Sequence, residues 1–479
     1  MADWTLGEIA SLLGDSSWVH LEDDKRVVSG VSTYFPTYRP GDIVFLQSGN
    51  TGFGIPAEVL SRNNVRPKLV IAAGELPASL EAEAVLRVSN RMEALLTLAR
   101  AARKQIDVPV VAITGSSGKT STTNLTAHAL RAFGPVYGTR EGGNLLRGVA
   151  WNLSCATPRD EFVVLELAIG RMSENAALAK PDVAVFTNIH LAHVVYHNDL
   201  QTIAERKARI FDGMKRGTHV ILNSGMNEGA YLDRAARNKG LNVLYYGRRS
   251  ADHVRLVGFD AARGIAEIRV GNTPLRIENC LRHGVHMLEN YMATCAVHHA
   301  LGLSLDHLAE RFGSFQIADG RGGAHNVDVE GGAFVLLDHS YNANPASMRA
   351  ALIHLRNSPA RGRRIAVLGA MEELGPVTHE EHAQLVEYLR KLELDRVYTL
   401  GEEFACAKGL PGHVALEHAD KLQDVLRSDV RADDVIMVKG SHSTGLYHVV
   451  NRFLKEQNLS KSVRPAGQAM VRDMDAGEA

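Results

Sequence analysis

The stretch Val108 to Ser121, VPVVAITGSSGKTS, constrains this chain more than any other. An apolar run, Val108 to Ile113, stops at Thr114-Gly115, and Ser121 to Ala132 continues with helical character. A buried strand, a glycine-bracketed turn and a helix N-terminus together form a phosphate cradle. Backbone N–H groups converge on the turn, the helix dipole favours negative charge, and Lys119 adds a cation. Gly115, Ser116, Ser117, Gly118, Lys119, Thr120 and Ser121 are therefore the expected nucleotide-binding residues. Thr120 offers a hydroxyl where a nucleotide-bound Mg²⁺ would sit. The turn is shorter than the common P-loop, because Ile113 stands where that motif has its first glycine. An ordinary strand-to-helix turn would leave Gly-Lys-Thr after a buried strand unexplained.

At 479 residues the chain is too long for one ordinary domain. Its 53 basic and 54 acidic residues leave a formal net charge of −1. No basic excess points to nucleic acid or to an anionic membrane. Apolar runs are strand-length, well short of the ~20 residues that span a bilayer. The start, MADWTLGEIA, has no charged n-region followed by an apolar core, so no signal peptide is expected. Cys155, Cys280, Cys295 and Cys406 are scattered, as in a reduced, cytoplasmic protein.

Residues 1–105 read as a small N-terminal α/β domain. Its elements are a helical stretch at Trp4 to Leu13, short strands at Val27 to Val31, Asp42 to Leu46 and Leu69 to Ala72, and a helix from Met92 to Lys104. Residues 106–318 alternate strand and helix, with strands at Val108–Ile113, Phe162–Leu167, Val183–Thr187 and Val220–Leu222, short β-like runs over 243–278 and a helix at Glu289 to Leu301. That pattern predicts a mainly parallel, P-loop-type ATPase sheet covered by helices. Residues 319–458 restart the alternation, with strands at Phe334–Leu337, Ile365–Leu368, Val397–Leu400 and Val435–Val438, and predict a Rossmann-like doubly wound domain. The polar stretch 459–479 is expected to be a mobile tail. Thr114-Gly115, Glu166, Asn188, Asp338, Gly369 and Lys439 all fall at strand ends. Ligands of open α/β sheets bind there, which predicts a cleft between two domains.

Glu166 interrupts the apolar run FVVLELAIG, and a carboxylate buried there needs a cation or metal. With Thr120 it completes a plausible Mg²⁺ oxygen pair. His190, His193 and His197 follow the strand ending at Thr187; without cysteines or a carboxylate partner they do not make a zinc site, and one of them facing the nucleotide is the better reading. Lys207, in AERKARIF, reads by itself as a solvated charge on a helix. The loop Asp338-His-Ser-Tyr-Asn-Ala-Asn-Pro345 closes one strand and opens a helix, where functional residues concentrate, although Asn342 and Asn344 also suit a plain turn.

Taken together these motifs resemble the Mur ligase family, ATP-dependent amide-bond-forming enzymes of peptidoglycan synthesis, and in pattern its dipeptide-adding branch. TGSSGKTS is similar to the family's TGSNGKTT, VVLELAIG to its strand carrying a Mg²⁺ glutamate, TNIHLAHV to TNIGEAHL, and RKARIF to KxEIF. GVHMLENYMAT resembles GxHNxxNxLAA. The Arg321 stretch, LLDHSYNANPASM, LGAMEELG and MVKGSHS follow the C-terminal domain in order. The resemblance covers roughly residues 106–450. It implies a three-domain ligase that uses ATP and two Mg²⁺ ions to turn a small-molecule carboxylate into an acyl phosphate, which an amine then attacks. It makes Lys119, His193 and a carbamylated Lys207 catalytic, and Thr120, Glu166, His193 and Lys207 metal ligands. It places Asn290 at the adenine and brings Arg321, Asp338, His339 and Asn342 onto the nucleotide by domain closure.

The chain departs from the pattern at His339, Met287, Arg209, Ala370 and His442, which stand for aspartate, asparagine, glutamate, aspartate and arginine. SGVSTYFPTYRPGDIVFLQSGNTGFG keeps a PGD turn but has Tyr34-Phe35-Pro36 in place of DSR, and no DGH. The expectation is therefore a ligase acting on a specialised peptide-like metabolite. The alternatives are the family's own cell-wall ligation with a divergent N-terminal domain, or a silent ATP-binding interaction module.

Overall fold

Val110–Thr114 occupies an interior position of a nine-stranded sheet, paired in parallel with Phe162–Glu166 on one side and Val183–Phe186 on the other. All five of its residues are buried. Alternate residues face different cores: Val110 and Ala112 join one apolar cluster, Val111 and Ile113 the other. A strand covered on both faces reads as an unbroken apolar run, which is why this one was legible. The computed structural model describes residues 4–14, 16–21, 25–47, 53–140, 142–190, 199–261, 263–280 and 284–462. The chain divides into two compact units, one holding Met1–Ile317 and Glu373–Gly375, the other Ala318–Glu372 and Pro376–Ala479.

The first unit carries two large sheets. A five-stranded one runs Ser16–Leu21, Ala84–Val88, Leu69–Ala72, Asp42–Phe45, Gly30–Ser32, antiparallel only at its first pair. The nine-stranded sheet begins at Val136–Gly138, passes through Val110–Thr114 and His219–Asn223, and ends in the antiparallel strands Ile265–Val270 and Thr273–Ile277. The two sheets share one core: Leu69, Ile71 and Leu86 of the first cluster with Leu95 and Leu98 of helix Arg91–Gln105, and with Val110 and Leu165 of the second. Burying about ten such side chains at ~2 kcal/mol each offsets the backbone ordering cost of roughly ten to twenty residues.

The second unit is a six-stranded sheet in the order Gly323–Val329, Gly332–Asp338, Val435–Lys439, Arg364–Gly369, Arg396–Leu400, His413–Ala415, parallel except for the first pair. This is the mixed α/β architecture expected. Strand Gly323–Val329, which alternates polar and apolar residues, was not foreseen. Among the described residues no helix is long and apolar enough to cross a membrane.

Candidate active site

The phosphate-type turn is held mainly by its neighbour. Gly118, at φ +76°, caps helix Lys119–Leu130. Gly115 has φ +149°, and a Cβ there would lie 1.9 Å from Thr187 Oγ1, so only glycine fits. Ser116 N donates to the Asn188 carbonyl at 3.0 Å, Ser117 N to Asn188 Oδ1 at 2.9 Å, and Thr187 Oγ1 to the Ser117 carbonyl at 2.6 Å. Ser116 Oγ bridges to both the carbonyl and the N–H of His190. The chain just beyond strand Val183–Phe186 thus sets the shape of the turn.

Two lysines converge on one carbonyl. Lys119 Nζ donates to Gly115 O at 3.1 Å and Lys207 Nζ to the same oxygen at 2.8 Å. Helix Leu200–Ala208 turns Lys207 inward, leaving it 3 % exposed, so it is not the solvated charge its helical setting suggests. Burial, reinforced by the Lys119 ammonium, holds the Lys207 amine well below the ordinary lysine range, against the pull of Glu166.

Glu166 is 4 % exposed. Its Oε2 accepts from Thr120 Oγ1 at 2.6 Å and its Oε1 from Asn144 Nδ2 at 2.8 Å, while its N–H donates to Thr139 Oγ1. Hydroxyl and carboxylate oxygens side by side are hard donors suited to Mg²⁺. Among the described residues no three His, Cys, Asp or Glu side chains gather as a metal group. His193 and His197 lie outside the described residues.

Asn290 sits at the start of helix Met287–Ala300, 7 % exposed, accepting from Thr122 Oγ1 at 3.0 Å. Its Oδ1 is 3.4 Å from where a Cβ on Gly118 would stand, so it lies beside the turn. The Thr126–Thr294 hydroxyl contact one turn along, 3.1 Å, ties the same two helices. Sequence reading missed Asn144, Thr122 and Thr187; isolated threonines and asparagines carry no pattern until the fold pairs them.

In the second unit Asp338 is fully buried. It accepts from the N–H groups of Gly320, at 2.8 Å, and Ser340, at 3.1 Å, and from Ser340 Oγ. Burial pushes its carboxyl up, and those hydrogen bonds oppose the push. The Arg321 guanidinium lies 4.1 Å from the centre of the Tyr341 ring. His339 Nε2 meets His354 Nδ1 at 2.9 Å, both rings buried, so His339 faces a histidine and not open solvent. Asn342 is exposed, and Asn344 forms a capping box with Ser347 that starts helix Pro345–Asn357. Expected residues therefore assemble in two sets: Gly115 to Ser121 with Glu166, Lys207 and Asn290 in one unit, and Arg321, Asp338, His339 and Asn342 in the other.

Residues 113–298 match the profile of the Mur ligase middle domain, and residues 327–442 that of the Mur ligase glutamate ligase domain. This chain belongs to the Mur ligase family. It is 30 % identical over 389 residues to the UDP-N-acetylmuramoyl-tripeptide–D-alanyl-D-alanine ligase of Synechocystis sp., covering 79 % of this chain and 82 % of that one. Against the protein of the same name in Escherichia coli K12 it is 29 % identical over 371 residues, covering 75 % and 79 %. MurF from Acinetobacter baumannii shares its fold at TM-score 0.77 with 22 % identity, over 95 % of this chain and 99 % of that one. The MurF ligase of Thermotoga maritima in complex with ADP does so at 0.71 and 24 %, over 90 % and 99 %. This Mur ligase is an ATP-dependent, amide-bond-forming enzyme. Its first 112 residues precede both profile matches.

Proposed function

We propose that this Mur ligase joins D-alanyl-D-alanine to the terminal carboxylate of a UDP-muramoyl tripeptide, with ATP. The observation that carries the reading is its 30 % identity to a ligase of that name over 82 % of the relative's length. The divergence of the N-terminal motifs suggested a specialised metabolite instead. The relatives support the cell-wall reaction better, since the matched span extends well past the ATP-handling core.

In this reading the Gly115–Ser121 backbone cradles the phosphates with Lys119, and Asn290 meets the adenine. Thr120, Glu166, His193 and Lys207 would hold Mg²⁺. Mg²⁺, when bound, supplies neutralisation of phosphate and carboxylate charge. Burial favours the free-amine form of Lys207, whose lone pair would add to CO₂; loss of one proton would leave a carbamate, an anionic oxygen ligand. Arg321, Asp338, His339 and Asn342 are nucleotide-binding residues in this reading. A substrate carboxylate oxygen attacks the γ-phosphorus, giving acyl phosphate and ADP. The amine of the dipeptide then attacks the acyl carbon and phosphate leaves. Rate comes mainly from positioning and charge neutralisation.

The test is phosphate release by the purified protein with UDP-muramoyl tripeptide, D-alanyl-D-alanine, Mg²⁺ and ATP. Release that requires both organic substrates, with a product of the summed mass less water, is expected. No release from that pair, with hydroxylamine trapping an acyl phosphate from another carboxylate, would restore the specialised substrate. No hydroxamate from any acid, despite ATP binding, would favour a silent module.

A further inference from the structure

Lys439 ends strand Val435–Lys439 with its side chain 4 % exposed. Among the described residues no carboxylate forms an ion pair with its ammonium. Nζ donates to the main-chain carbonyl of Asn342 at 2.6 Å and, more loosely, to that of His339 at 3.5 Å. Those carbonyls belong to the loop that joins strand Gly332–Asp338 to helix Pro345–Asn357. The rest of that loop is tied separately: His339 N to the Val438 carbonyl, Tyr341 N to the Gly320 carbonyl, Ser340 to Asp338, and Asn344 to Ser347. Lys439 therefore holds, from the carbonyl side, the stretch whose N–H groups those bonds hold, and which carries Tyr341, Asn342 and the Arg321–Tyr341 stack.

We propose that Lys439 is a positioning residue of the ligase: its ammonium clamps the 339–342 loop through main-chain carbonyls and keeps Tyr341 and Asn342 in their working arrangement. This rests on the reading above that the loop serves the nucleotide. The same burial makes the clamp sensitive to pH. Removal from water, with the Arg321 guanidinium, lowers Lys439 to about 7, and Asp338 opposes the shift. Asp338 in turn feels His325, and the His339 ring is occupied with His354. As pH rises through about 7 the ammonium becomes an amine. Its hydrogen bonds then lose their charge assistance, and the loop loosens.

The experiment has two arms. In the first, hydrogen–deuterium exchange of the unaltered full chain is followed at the amides of residues 339–344 from pH 6 to pH 8.5, corrected for intrinsic exchange. Protection is expected to fall about tenfold across that range, the size of one weakened charge-assisted bond; unchanged protection would overturn the proposal. In the second, substrate-dependent phosphate release is measured for the wild type and Lys439→Met, with a thermal melt as folding control. The wild type is expected to show a descending limb near pH 7, and Lys439→Met a uniformly low kcat, at least tenfold down, without that limb. A variant with wild-type kcat and profile, or an ascending limb lost on substitution, would overturn it. The exchange arm needs neither a substrate nor a folded variant, so its result stands apart from failure of the substrate assignment.

Discussion

Lys207→Met separates stability from activity in a way the geometry dictates. The methionine keeps most of the side-chain volume and removes one buried amine. The Gly115 carbonyl retains the Lys119 donor at 3.1 Å, so no acceptor is orphaned. Because burial lowers the folded-state pKa of Lys207, the unfolded chain binds the extra proton between that pKa and ~10.4. Unfolding free energy of the wild type therefore rises with pH through this window, by up to about 1.4 kcal/mol per pH unit for one proton. Below the folded pKa both states are protonated and the penalty of a buried ammonium is fully present. The methionine variant lacks this term. Its stability relative to wild type is thus greatest at the acidic end and declines as pH rises. Urea unfolding of both proteins in CO₂-free buffer, from pH 6.5 to 9.5, reads the difference; ligase activity, by contrast, should drop at least 100-fold at every pH. Parallel stability curves would refute the reasoning, because they would mean the amine is hydrated in the folded protein.

Glu166→Gln should lower ATP-dependent phosphate release at least 100-fold while metal-free nucleotide binding, followed by calorimetry, changes little. The amide keeps one oxygen for Thr120 or Asn144 but not both, so a stability loss of about 1 kcal/mol should accompany it. Gly115→Ala forces a Cβ to 1.9 Å from Thr187 Oγ1 at φ +149°. A melt should show at least ~2 kcal/mol lost, with nucleotide binding abolished. In the second unit Arg363 clamps Asp434, whose side chain is 3 % exposed, and pairs with Asp429. Burial would raise Asp434, but the Arg363 and backbone hydrogen bonds lower it on balance, and the Tyr398 hydroxyl leads the lowering of Asp429. Their stabilisation is present above the ordinary carboxylate pKa and lost as pH falls through the folded values. Arg363→Met should cost about 3 kcal/mol at pH 7, the low end for a broken buried pair because Arg363 keeps 25 % exposure, and should flatten the acid side of the denaturation profile.

The parts legible in the sequence are those with short-range signals. Strand Leu69–Ala72 was expected at its observed limits, and Val435–Lys439, Arg364–Gly369 and Phe162–Glu166 within a residue or two, because strands buried on both faces leave contiguous apolar runs. Strands Ser16–Leu21 and Gly323–Val329 were invisible, since each has polar residues on its open face and pairs antiparallel near a sheet edge. The phosphate turn was legible because glycine spacing encodes backbone conformation directly. What holds it was not. Asn188 and Thr187 act from just beyond a strand some 70 residues away, and Lys207 reaches Gly115 across 92 positions. Only the family motif, and not helical periodicity, marked Lys207 as more than a surface charge.

That division has a physical cause which bears on how the site works. A glycine turn is locally permissive, so by itself it has many conformations and no reason to prefer the one that receives phosphate. Here the preference comes from outside: the Asn188 carboxamide takes Ser117 N, the Thr187 hydroxyl takes the Ser117 carbonyl, and two lysines share the Gly115 carbonyl. In the second unit the loop after Asp338 follows the same principle, with a buried carboxylate and a buried lysine holding main-chain groups from either side. Preorganised donors of this kind need little rearrangement when charge develops, which is where electrostatic stabilisation of a transition state is gained. The residues that set these two shapes, Asn188, Thr187 and Lys439, are therefore expected to alter kcat more than the KM for ATP when truncated, the opposite of a residue that only adds affinity.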